Sequence, residues 1–139
     1  MSKKILLGLL VAVITGVSFA FYQSVNGTTN AYHWVSMDFT TTGNSTLVNF
    51  TVAHKKTYDY YTRYHQIIID ATGNPSWGSC STGAFKKCSY NGGYLYEWVS
   101  GRDTTQSFSE LLGNGNHTIR TRVSSYGHYF WNATITANW

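Results

Sequence analysis

Proline is almost missing from this chain: Pro75 is the only one in 139 residues. That excludes a polyproline stalk or a proline-rich linker. Charge is scarce as well, at 12% Asp, Glu, Lys and Arg with only six acids. A disordered polyelectrolyte and a charge-laced coiled coil both require far more. With Cys80 and Cys88 as the only cysteines, a multi-bridge framework and a four-cysteine zinc site are also excluded. Two of the ten basic residues, Lys3 and Lys4, sit at the extreme N-terminus. Residues 21–139 therefore carry eight basic and six acidic side chains, a formal +2. No clustered basic face follows from that balance, and no nucleic-acid partner is expected. The length suits one domain.

Lys3 and Lys4 precede the apolar run Ile5–Ile14, and Ser18-Phe19-Ala20 places small residues at the −3 and −1 sites of a cut after Ala20. Residues 1–20 thus read as a signal peptide, a hydrophobic N-terminal helix, and the product as secreted, extracellular or at the cell surface. The alternative extends the helix through Phe21 and Tyr22 to about 18 residues, roughly 27 Å, enough for a retained anchor. Membrane contact is expected only through this segment. In an oxidising compartment Cys80 and Cys88 form one short-loop disulfide, which stabilises by about 2–3 kcal/mol.

Residues 21–31 are polar, uncharged and without helical period, and read as a loose, extended N-terminal arm. From 32 to 139 apolar residues recur with period two and β-branched and aromatic types dominate, so the body is all-β. Val35, Met37 and Phe39 mark a strand over about 32–41; Val48, Phe50 and Val52 mark the next. Tyr58–Ala71 ends in Ile67-Ile68-Ile69, a run suited to a strand covered on both faces. Residues 72–93 form a long connection carrying the cysteines. Further strands run through Tyr94–Val99, Thr118–Val123 and Tyr129–Trp139. Six or seven strands separated by turns predict an antiparallel β-sandwich.

The stretch Leu111–Val123, with Gly113, Gly115 and His117-Thr118-Ile119, followed by Asn132-Ala133-Thr134-Ile135-Thr136, resembles the closing strands of immunoglobulin-like modules of the PKD and bacterial Ig-like kind. The resemblance implies an Ig-like sandwich of about seven strands. Such modules serve in adhesins, filaments and enzyme accessory domains, so it leaves function open.

Aromatics make up 17% of the chain. Tyr58, Tyr60 and Tyr64 would share a strand face, and with Trp77 and the Tyr94, Tyr96, Trp98 row they form the expected binding face for a glycan or a protein at a cell surface or matrix. Five Asn-x-Ser/Thr sites, at Asn26, Asn44, Asn49, Asn116 and Asn132, are candidate glycosylation positions in a secreted protein. The five histidines follow no metal-ligand spacing, the acids form no close pair, and no Gly-x-Ser-x-Gly elbow exists. Neither metal nor cofactor is expected, and catalysis is not. The expected role is a non-catalytic binding or adhesion module. The alternatives are a filament or pilus subunit that homo-polymerises through the arm at 21–31, and a small secreted toxin or hydrolase.

Overall fold

A computed structural model describes residues 21–139, in which two antiparallel sheets face one another. The signal-peptide and anchor readings fall on residues 1–20, outside the described residues. Nine strands follow one another: β1 (Tyr22–Thr29), β2 (Val35–Thr41), β3 (Thr46–Lys56), β4 (Arg63–Ile69), β5 (Lys86–Tyr90), β6 (Gly93–Ser100), β7 (Thr104–Leu112), β8 (Gly115–Val123) and β9 (Trp131–Asn138). One sheet is ordered β1-β9-β3-β7, the other β2-β8-β4-β6-β5.

Period-two alternation drives the assembly. On β2, Val35, Met37 and Phe39 are buried while Ser36 and Asp38 are exposed, and β9 buries Trp131, Ala133, Ile135 and Ala137 in the same rhythm. These rows meet Val48, Phe50 and Val52 of β3 and Ile67, Ile69 and Ile119 of the opposite sheet in one core. The turn at Gly43 and the tight turn Asn91-Gly92 take positive φ, as glycine and asparagine allow. Gly93 has a different reason for lacking a side chain: a Cβ there would lie 2.0 Å from the Ile69 carbonyl oxygen. Ile67, Ile68 and Ile69 are all fully buried, as a doubly covered strand requires.

Nine strands, not about seven, make up the sandwich, and each addition lacks a strong apolar row. Residues 22–29, read as a loose arm, pair along their whole length with β9 and form an edge strand whose side chains are mostly exposed. The boundary at 31/32 therefore cuts through the sandwich. Strand β5 lies inside the long connection and carries Lys86 and Lys87, while β7 faces inward with Phe108, Glu110 and Leu112 amid Thr, Gln and Ser. Both are sheet edges, where apolar content is lowest.

The expected aromatic face divides. Tyr96 and Trp98 point inward from β6 and are 4% and 2% exposed. Trp98 donates to Thr104 Oγ1 at 3.1 Å, and the Tyr96 hydroxyl bonds Glu110. The other phase of β6, Leu95 and Glu97, is also buried, because residues 72–85 fold over the outer face and the Cys80–Cys88 bond ties that segment to β5. Alternation alone gives no sign that a loop covers the second face.

Candidate functional site

The loops β1–β2, β3–β4, β6–β7 and β8–β9 all emerge at one end of the sandwich, and that end is rich in tyrosine. Tyr58 and Tyr60 lie on the β3–β4 loop, before β4 begins, and are 72% and 85% exposed; Tyr61 beside them is 59% exposed. Tyr32 on the β1–β2 loop and Tyr126 on the β8–β9 loop are exposed and meet edge to face, 5.7 Å between centroids. Tyr129 meets Tyr61 in the same manner at 6.3 Å.

Buried polar side chains hold these loops. Asp59, 1% exposed between two outward tyrosines, accepts from Arg63 Nε at 2.7 Å and Nη2 at 3.0 Å, from Trp131 Nε1 at 2.9 Å and from the Tyr61 amide at 3.2 Å. Burial alone would raise its carboxyl pKa, but these donors outweigh it and hold it below the usual range. Thr57 adds a bond from its hydroxyl to the Phe130 carbonyl. Asn30, 2% exposed, does the same for the next loop: its Oδ1 accepts from the Tyr32 and His33 amides, and its Nδ2 donates to the Gly127 carbonyl. The Ala31 amide reaches the Ser125 carbonyl at 2.7 Å. Three loops are thereby locked to one another, with their tyrosines left outside. A side chain with two rotatable bonds on a pinned backbone loses little entropy on contact.

Tyr64 sits on the outer face of β4 and stacks on Trp77 at 6.5 Å, around the flank from the tip. Tyr94 is half-buried under Lys87, whose Nζ lies 3.9 Å from its ring centroid. The structure therefore brings Tyr58 and Tyr60 together, sets Tyr64 and Trp77 side by side on the flank, and removes Tyr96 and Trp98 to the core. Tyr32, Tyr61, Tyr126 and Tyr129 join the tip without having been singled out by strand alternation. Tyr32, Tyr61 and Tyr129 fall within the strands expected over 32–41, 58–71 and 129–139, which in the structure begin only at Val35, Arg63 and Trp131; Tyr126 lies outside them.

Two polar clusters lie elsewhere. His54 and His65 meet in the core, Nδ1 to Nδ1 at 2.8 Å, both stacked on Trp98. The Thr121 hydroxyl donates its single hydrogen to the Gln66 carbonyl at 2.7 Å and so accepts from His54 Nε2; His54 Nδ1 then accepts from His65 Nδ1, and a neutral His65 has no hydrogen left for the Ser100 carbonyl 3.1 Å from its Nε2. Burial pushes both imidazoles down, His65 to about 4, and each is neutral at neutral pH. At the opposite end His117 Nδ1 lies 2.5 Å from Asp70 Oδ2, and Thr41 Oγ1 lies 3.0 Å from Nε2. The spacing is that of a nucleophile, base and carboxylate, yet Thr41 is fully buried and donates to the Gly113 carbonyl at 2.6 Å. That hydroxyl cannot reach a substrate. Among the described residues no three metal-ligating side chains converge.

Four of the five Asn-x-Ser/Thr sites lie away from the tip, and Asn132, the second residue of β9, lies beside it. Asn26, Asn49 and Asn132 lie on the outer face of the four-stranded sheet, Asn44 in the β2–β3 turn and Asn116 on β8 near the far end. The chain matches no protein-family model, no curated protein and no solved structure.

Proposed function

We propose that this domain is a secreted, non-catalytic contact module that engages a glycan or protein at a cell surface or matrix through the tyrosines of its loop end. The observation that carries the reading is the pairing of strong exposure, 72% at Tyr58 and 85% at Tyr60, with a backbone anchored through the buried Asp59. Large aromatics left in water on a fixed scaffold are the usual raw material of binding hot spots. An Ig-like arrangement of the sandwich and glycosylation of the five asparagines belong to the same reading. Sugars at Asn26, Asn44, Asn49 and Asn116 would sheath the outer sheet face and the far end, while one at Asn132 would stand at the rim of the tip.

The test is a variant with Tyr58→Ser, Tyr60→Ser and Tyr61→Ser, compared with the native domain on panels of glycans and matrix proteins and on whole cells. Binding is expected to fall by about tenfold or more with the melting temperature nearly unchanged. Unchanged binding in a folded variant would sink the reading.

A second reading, a homopolymeric filament, is favoured by β1. It is an uncharged edge strand that fully buries only Thr29, so most of its hold is backbone bonding to β9. A neighbour's β1 could supply the same bonds.

A further inference from the structure

Trp34, just before β2, and Arg120 and Arg122 on β8 face outward from the five-stranded sheet. The Arg122 guanidinium lies 4.5 Å from the Trp34 ring and 4.1 Å from the Trp77 ring, between two indoles, and that of Arg120 lies 4.3 Å from Trp34. Arg122 donates to Gln66 Oε1 at 3.0 Å and to the carbonyls of Ala31 at 3.0 Å and Pro75 at 2.7 Å, while Arg120 donates to the carbonyls of Ala71 and Gly73. Every acceptor is neutral. Among the described residues neither guanidinium has a carboxylate within ion-pair distance. Glu97 touches this cluster only through the Gln66 amide, and its oxygens already receive three backbone N–H groups. Burial, and then the neighbouring Arg120, push Arg122 down to about 10, so it remains a cation at neutral pH.

Beside this pair opens a cleft of about 370 Å³ lined by Tyr32, Trp34, Asn74, Trp77, Arg122 and Tyr126. Its volume falls within the range of small-molecule sites, about 300–1,000 Å³. Trp34 Nε1 donates to Asn74 Oδ1 at 2.9 Å, which fixes that amide with its oxygen occupied and its N–H groups left to donate. Aromatic walls suit the C–H faces of a pyranose ring, amide and phenol groups suit its hydroxyls, and paired guanidiniums lacking a carboxylate suit an anion. We propose that this cleft binds an acidic sugar, a uronic-acid residue whose carboxylate faces Arg122, with Arg120 beside it on the shared Trp34 ring, and whose ring lies against the contacting pair Tyr32 and Tyr126. The assignment rests on the contact-module reading and names one ligand class for it.

The experiment titrates the mature domain with a tetrasaccharide containing glucuronic acid and with its carboxyl-reduced form, read by calorimetry and tryptophan fluorescence. The acidic probe is expected to bind and to change the fluorescence, the reduced probe to bind about tenfold more weakly, and added salt to narrow the gap. Tyr32→Ser with Tyr126→Ser, both at exposed positions, should weaken the acidic probe about fivefold. Arg122 also braces the fold, so the charge is tested at the less buried Arg120: Arg120→Gln should remove the preference for the acid. Equal binding of the two probes, binding of neither at about millimolar concentration, or an unaltered preference in folded Arg120→Gln overturns the assignment. Tyr58→Ser with Tyr60→Ser separates the two readings. If those changes leave attachment to cells intact while the acidic probe binds, the tip reading fails and the cleft stands; if they abolish attachment while the probe never binds, the cleft alone fails.

Discussion

At Glu97 one fully buried carboxylate receives Gln66 Nε2 at 2.8 Å and the amides of Gly78, Cys80 and Ser81 at 2.8–2.9 Å. Those amides belong to the segment covering the outer face of β6, so this side chain converts a glycine- and serine-rich loop into a lid over Ile68 and Leu95. Glu97→Ala would leave one buried and two partly buried N–H groups without this acceptor and is expected to cost about 3 kcal/mol in urea unfolding, with cleavage by protease appearing first within residues 76–82. The histidine pair makes a different prediction. Both imidazoles titrate below their unfolded value near 6.5, His65 at about 4, so the unfolded chain binds protons first as the pH falls. Stability should be constant above about pH 6.5 and decline from there toward pH 4. Asp59 acts lower still: its folded pKa is depressed below 3.8, so its contribution is lost only as the pH falls through the acidic range beneath that value. Urea midpoints measured between pH 7.5 and 4 test this, and a flat profile would contradict the neutral buried pair.

At the scale of elements, two connections owe their shape to side chains well separated from them in sequence. The β3–β4 loop is pinned where Asp59 meets Trp131, across 72 positions. Asp59→Ala is expected to destabilise by about 3 kcal/mol, since it strands a partly buried guanidinium and a buried indole N–H, and to speed amide exchange at Tyr58–Tyr61 more than elsewhere. The 72–85 segment is held by Glu97 and by the disulfide; replacing both cysteines with serine should cost about 2.5 kcal/mol by loop-closure entropy. These cross-links explain what could be read from the chain and what could not. Strands β2, β3, β4, β6, β8 and β9 carry clear apolar rows and were legible, as was the cysteine pairing. Edge strands β1, β5 and β7 were not, because an edge can form with backbone bonds and one modest inner row. For β6, phase was legible but exposure was not: Tyr96 and Trp98 face the opposite sheet, and whether Leu95 and Glu97 face water depends on where residues 72–85 fold. Of the expected aromatic site, Tyr58 and Tyr60 reached the surface because they lie in a loop, for which strand alternation was the wrong guide.

The whole molecule has two unlike ends. Phe21 and Trp139 exchange backbone hydrogen bonds of 3.0 and 3.1 Å and stack at 5.6 Å, so the chain enters the domain at the end opposite the tyrosines, the length of β1 away, roughly 25 Å. A contact module needs β1 to stay where it is, whereas a strand-exchanged filament needs it to leave β9. Ser24 and Thr136 face outward as register partners on those strands, which makes them a position for a lock. Ser24→Cys with Thr136→Cys, oxidised, should fix β1 in place, raise the melting temperature by several degrees, and leave the domain monomeric by light scattering with its surface binding intact. If the native domain forms polymers and the oxidised variant does not, while reduction restores them, the edge strand and not the tyrosine end is the working part of the molecule.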